Sequence, residues 1–102
     1  MHLVVSHAGQ IRVEVGGKLH HVPGVLTAPD AKHAIDARGS EVTLVFLDPE
    51  SDAGERLRAT LVGPARLLTA EERDRIVGDR ATEAAIIDEA ADTLDHRAHM
   101  RS

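Results

Sequence analysis

The segment IRVEVGGKLHHV, residues 11–22, decides the fold class of this chain. Its odd positions before the glycines are apolar and its even positions are charged, which is the period of a half-buried strand. Gly16-Gly17 then predicts a two-residue hairpin loop, because such loops need residues that tolerate positive φ. With that loop, Val15 pairs with Lys18, Val13 with His20, and Ile11 with Val22. The segment therefore predicts an antiparallel hairpin with His20 on its apolar face and His21 on its polar face.

Short strands are also predicted on both sides of this hairpin. Apolar runs separated by Pro, Gly and Ser lie at residues 2–7, 25–28, 34–37 and 42–47. Pro29 begins a corner that delivers His33. Six strands within 48 residues, joined by tight turns, favour an antiparallel β-barrel or sandwich over alternating βα units.

The second half of the chain is predicted to be helical. Asp48 caps a first helix over about residues 49–60. Thr69-Ala70-Glu71-Glu72 is a capping box that opens a second helix ending near Gly78, and Thr82 caps a third through about Arg97. The predicted organisation is a β domain over residues 1–68 and a helical extension over residues 69–102, used for packing or dimerisation.

Composition excludes several classes of protein. The chain has 102 residues, no cysteine and a net charge of -5, and Phe46 is its one aromatic residue. Disulfide scaffolds, thiolate metal sites and base-stacking platforms are thus excluded, and direct nucleic-acid binding is disfavoured. No apolar run approaches the roughly 20 residues of a membrane span, and no secretory signal is present. We therefore expect a cytoplasmic protein that does not bind membranes.

Several features of residues 9–51 follow an order typical of a known family. They are Gly9 with the strand that follows it, Gly16-Gly17, Pro23-Gly24, VLTAPDAKHAIDARG at residues 25–39, and LDPES at residues 47–51. In this order they resemble the N-terminal cupin-like domain of AraC-type transcriptional regulators, over about residues 2–70. The spacing Pro29-x-x-x-His33 is similar to the second cupin signature, whose proline turn presents a histidine to the barrel interior.

Two parts of the family pattern are not in this sequence. The first cupin signature needs a His-x-His pair upstream, and His2 stands where a metal-binding cupin often places its carboxylate. The regulators also carry a C-terminal helix-turn-helix domain. The resemblance therefore implies the sensing and dimerising half of a regulator without the half that contacts DNA, either as a fragment or as a reduced free-standing relative.

Histidine is the most informative residue type for function, with seven in the chain. One interpretation is an apolar pocket for a small-molecule effector, because such pockets combine apolar walls with a few polar groups. Its predicted lining is His20, His33, Val13 and Leu26. No catalytic residue is predicted, since His33 and Asp36 lie on opposite faces of a regular strand.

The alternative is a small free-standing cupin enzyme or metal-binding protein. His2, His20 and His33 could all face inward, and three imidazoles with a water would hold a divalent transition metal. A third possibility is a truncated remnant that only folds and self-associates.

The third helix carries an apolar stripe of small and branched residues. Its predicted contact residues are Ile87, Ala91 and Leu94. They pack either on the β domain of the same chain or on the same helix of a second chain. The second arrangement predicts a homodimer, as the resemblance also implies.

Overall fold

Strands fill the first half of the chain and helices most of the second. The computed structural model describes residues 1–29, 33–37, 39, 41–78 and 82–100. The elements within these ranges are β1 His2–Ser6, β2 Ile11–Val15, β3 Lys18–Val22, β4 Gly24–Thr27, β5 His33–Asp36, β6 Val42–Phe46, α1 Asp52–Arg58, β7 Ala65–Leu68, α2 Ala70–Val77 and α3 Glu83–Met100. None of the described helices combines the length and apolarity that a bilayer crossing requires.

The strands form two antiparallel sheets. Sheet A has the order β6-β1-β4-β7, and sheet B has the order β3-β2-β5. Each sheet keeps two edge strands, so the described strands make a sandwich and not a closed barrel. The predicted mainly-β class with C-terminal helices is thereby confirmed.

The hairpin of β2 and β3 has the predicted register. Val15 pairs with Lys18 and Val13 with His20. Gly16 and Gly17 have φ of 61° and 76°, the left-handed values that a two-residue loop of this kind requires. His20 is half-buried on the inner face of sheet B, and the neighbouring His21 is exposed.

The two central strands of sheet A, β1 and β4, are covered on both faces, which explains their continuous apolar runs. One face packs against the three helices in a helix-side core, which includes Leu3, Val5, Leu26, Val45, Leu57, Leu68, Ile76, Ala91 and Leu94. The other face packs against sheet B in a sandwich core, which includes Val4, Ile11, Val13, Val15 and Val25. Strands β1 and β4 therefore supply alternate residues to two different cores.

The helices begin close to the predicted positions, with one exception. Thr69 and Glu72 form the predicted capping box of α2, and the Thr82 hydroxyl accepts a hydrogen bond from the backbone N–H of Ala85 at the start of α3. Helix α1 begins later than predicted, because Ser51 is its cap instead of Asp48. Strand β7 was not predicted at all. It pairs with β4 and completes sheet A.

The predicted boundary at residue 68 coincides with the end of β7. Helix α1 lies before that boundary, and α3 contributes to the same helix-side core as β1. The β and helical parts of the chain are thus joined by one continuous apolar cluster.

Candidate functional site

A groove opens where one edge of the sandwich is left uncovered. It lies between β5, an edge strand of sheet B, and β6, an edge strand of sheet A. Its volume is about 360 Å³, and it is lined by His2, Val4, His33, Ile35, Ala37, Val42 and Leu44. These residues alternate along their strands, so each strand presents every second side chain to the groove.

Two imidazoles meet in the lining of this groove. Nδ1 of His2 lies 3.2 Å from Nε2 of His33, which is hydrogen-bonding distance. One ring nitrogen must donate and the other accept, so the contact needs at least one of the two rings to be neutral. The rings meet edge to face, with centroids 5.2 Å apart and an interplanar angle of 76°.

The strands that carry the two histidines fix their positions. His2 begins β1, where its backbone N–H donates to the buried hydroxyl of Thr27 on β4 over 3.2 Å. His33 begins β5 and pairs with Val15 of β2. One histidine therefore comes from each sheet, and their contact bridges the open edge of the sandwich.

Phe46 adds an aromatic wall beside His2. Its ring lies edge to face on the His2 ring, with centroids 4.7 Å apart. Phe46 is 71% exposed, although it is the largest apolar side chain of the protein. Leu44, on the same face of β6, is 46% exposed. The groove is therefore continuous with an exposed apolar strip on the edge strand.

The electrostatics of the pair disfavour a second proton. Burial lowers the pKa of His2 below its ordinary value of 6.5, and the positive amino terminus and His33 lower it further. Both charge contributions come from positive neighbours. A negative group bound in the groove would act in the opposite direction and raise the pKa of His2.

His33 also borders a second cavity, of about 530 Å³. That cavity is lined by Glu14, Val15, Gly16, Gly17, His33, Ala34 and Pro64. The imidazole of His33 thus stands between the hairpin loop on one side and the groove on the other.

The structure brings together only part of the predicted pocket lining. His33 lines the groove as predicted for a pocket residue. His20 lies on β3, separated from β5 by β2. Val13 is fully buried in the sandwich core, and Leu26 faces the helices because Val25 takes the inward position of β4. Neither cavity has any of these last three residues in its described lining, so the structure does not bring the four predicted pocket residues together.

The structure brings together two of the three predicted metal ligands. His2 and His33 are in contact, but β2 lies between His20 and β5. Among the described residues, no group of three His, Cys, Asp or Glu side chains is placed to hold a metal ion. Catalytic zinc sites use three protein ligands, so the two imidazoles do not fit such a site.

The predicted dimer-helix residues are largely engaged within their own chain. Leu94 is fully buried and Ala91 is nearly so, both in the helix-side core. Ile87 is half-buried at the rim of that core. Of the three residues, Ile87 is the one that a second chain could reach.

Sequence reasoning missed the apolar half of the groove. Ile35, Ala37, Val42 and Leu44 were assigned to strands but not to a site. The alternation in VTLVF was a usable signal, because it places positions 42, 44 and 46 on one face. What the pattern did not show is that sheet B ends at β5 and leaves that face open.

Another histidine lies at the same sheet edge but outside the groove. Nε2 of His7 is 2.7 Å from Oγ1 of Thr43, and Nδ1 is 4.0 Å from a carboxylate oxygen of Glu41. His7 and Glu41 are both exposed, and neither lines the groove. His7 therefore serves as a control histidine below.

No match to this chain was found among protein-family models, curated proteins or solved structures. The function is therefore argued from the groove and from the resemblance described above.

Proposed function

We propose that this chain is a small-molecule-binding module, similar to the sensing domain of AraC-type regulators, whose ligand occupies the groove between β5 and β6. The observation that carries the proposal is the combination of apolar walls with two imidazoles in contact. Small-molecule sites are typically concave and mostly apolar, with a small number of placed polar groups. The volume of about 360 Å³ lies within the usual range for such sites.

The strands of the groove offer a route from ligand to helices. Val4 lines the groove, and its neighbours Leu3 and Val5 pack in the helix-side core. On β6, Leu44 likewise lines the groove, and its neighbour Val45 packs in the helix-side core. A ligand that shifts β1 or β6 therefore acts on the surface that holds the helices.

A direct tether also joins α2 to the end of β1. Nη1 of Arg73 donates to the hydroxyl of Ser6 over 2.9 Å and to the carbonyl of Gly9 over 3.1 Å. Ser6 is fully buried. Regulation through these contacts requires that the ligand bind two helix arrangements with different affinity.

The binding of a neutral apolar dye tests the proposed site. N-phenyl-1-naphthylamine becomes fluorescent in apolar surroundings, and we expect it to bind the wild-type protein with saturation at one site. Val42→Phe fills the groove and should weaken this binding about tenfold or more. Val62→Phe is the matched control, because Val62 is 94% exposed and does not line the groove.

Two outcomes would overturn the proposal: no saturable dye binding by the folded wild type, or equal binding by the two phenylalanine variants. Hydrogen exchange then tests the coupling to the helices. We expect dye binding to change the exchange rates of backbone amides in α2 and α3, beyond those of the groove strands.

A further inference from the structure

We infer that the groove selects a small apolar monocarboxylate, whose carboxylate is held by His2 and His33 and whose hydrocarbon part lies against Val4, Ile35 and Val42. This inference rests on the proposed function, because it names the ligand class of the same groove.

The residues that line the groove indicate the charge of the ligand. Seven described residues line the groove; five are apolar, two are histidines, and none of these seven is Asp, Glu, Lys or Arg. Within the described part of the lining, the two imidazoles are therefore the side chains that can hydrogen-bond a polar group of the ligand. Imidazole can donate and can become positive but cannot become negative. A carboxylate complements such a site, whereas an ammonium group would lack a negative partner.

The spacing of the two imidazole rings suits the two oxygens of one carboxylate. Their facing nitrogens are 3.2 Å apart, and two donors at that separation can each donate to one oxygen of the same carboxylate, as in other bidentate pairs. Without ligand, one N–H is used between the two rings. To bind both oxygens, each ring must turn its N–H toward the groove. Two neutral rings can supply both donors, because each neutral imidazole carries one N–H, on Nδ1 of His2 and on Nε2 of His33.

Carboxylate binding should still be coupled to proton uptake, through the negative charge of the ligand and not through the number of donors it needs. Among the described residues, the groups near the pair include the amino terminus beside His2, the uncharged Thr27 and Phe46 on β4 and β6, and Glu14 across the cavity that borders His33. A bound carboxylate stabilises the imidazolium form. We expect affinity to rise as the pH falls from about 8 to about 6, and to fall again only where the ligand itself becomes protonated.

The test compares two probes of nearly the same shape, one charged and one neutral. Cyclohexylacetate and its neutral isostere cyclohexylacetamide are each used to displace N-phenyl-1-naphthylamine from the wild-type protein at about pH 6.5. Hydrogen bonds to a charged group are stronger than neutral ones, so the carboxylate should bind about tenfold more tightly than the amide.

Matched histidine variants locate the selectivity. The ratio of carboxylate to amide affinity is measured within each variant, whatever its own affinity for the dye, and His33→Gln and His2→Gln should each lose most of the preference for the carboxylate. His7→Gln should keep the preference, because His7 lies outside the groove. Circular dichroism confirms that each variant is folded. Calorimetry of the wild type in two buffers of different ionisation enthalpy should show net proton uptake at about pH 7.

The outcomes separate this inference from the proposed function. If the dye binds and the two probes compete equally, or neither competes, the ligand class is wrong and the binding groove stands. A carboxylate preference that survives in both His2→Gln and His33→Gln also overturns the inference, as does the absence of proton uptake. If the dye itself does not bind the wild type, the proposed function fails.

Discussion

At the scale of single residues, His2 links the groove to pH. Its pKa lies below the ordinary value of 6.5 because of burial, the nearby amino terminus and His33. The unfolded chain therefore binds a proton at this residue more readily than the folded chain, between the lowered pKa and about 6.5. The contribution of His2 to stability is complete above that window and is lost as the pH falls through it.

Chemical denaturation measures this effect. We expect the free energy of unfolding to decrease between about pH 7.5 and about pH 5.5, and His2→Gln to reduce that slope. His7→Gln is the matched control at an exposed histidine outside the groove, and it should leave the slope close to wild type. A His2→Gln slope equal to that of wild type would contradict the assignment.

The two histidines also show what the sequence could predict at this scale. The interior position of His33 was predicted from the spacing Pro29-x-x-x-His33, which resembles the second cupin signature. Its contact with His2 was not predictable in detail, since the two residues are 31 positions apart and belong to different sheets. Only the packing of one sheet on the other brings them together.

At the scale of elements, the start of α2 follows from local chemistry. The Thr69 hydroxyl accepts from the backbone N–H of Glu72 over 3.1 Å, and the Glu72 carboxylate accepts from the backbone N–H of Thr69 over 2.9 Å. The second oxygen of Glu72 accepts from Arg66 of β7. The capping box thus also joins the helix to the sheet.

Removing this cap should destabilise the protein measurably. Thr69→Ala loses the acceptor for a helix N–H and should lower the free energy of unfolding by about 1–2 kcal/mol. Thr69→Ser keeps a hydroxyl and should remain within about 0.5 kcal/mol of wild type. Urea denaturation checks both values. Equal loss in the two variants would show that the threonine methyl group, and not the cap, carries the effect.

Helix α1 shows where local rules were insufficient. Asp48-Pro49 is a reasonable start signal, but the Asp48 side chain accepts from the backbone N–H of Glu50, and the helix begins after Ser51. The Asp48 carbonyl lies against Gly54, so close that a Cβ on Gly54 would collide with it. Strand β7 was missed for a related reason, because its four residues are strand only through pairing with β4.

The close approach of Asp48 to Gly54 reverses the usual effect of a glycine-to-alanine substitution on stability. Replacing a helical glycine with alanine normally stabilises a helix by about 1 kcal/mol. Gly54→Ala should instead destabilise this protein, because the added Cβ must displace the Asp48 backbone. Glu55→Ala, at an exposed position of the same helix, should change stability by no more than about 0.5 kcal/mol. A Gly54→Ala protein as stable as wild type in thermal unfolding would refute the collision.

At the scale of the whole molecule, sheet A is the layer shared by the groove and the helices. Its strands β1 and β4 are buried on both faces, so their apolar runs indicated strands but not which side each residue faces. The sequence therefore did not show that Leu26 faces the helices and not the sandwich core. The alternation of β2, which has one exposed face, was sufficient to predict its register.

Two residues of α3 distinguish the stability of the fold from association between chains. Leu94 is fully buried against its own chain, so Leu94→Ala should cost about 2–5 kcal/mol of unfolding free energy, at any protein concentration. Ile87 lies half-buried at the rim. If the predicted homodimer forms through α3, Ile87→Lys should yield a folded monomer with a much smaller loss of stability, seen by sedimentation velocity and thermal unfolding. Should Leu94→Ala instead abolish the dimer while leaving the monomer fully stable, α3 would have to pack between chains, and the helix-side core described above would belong to the assembly.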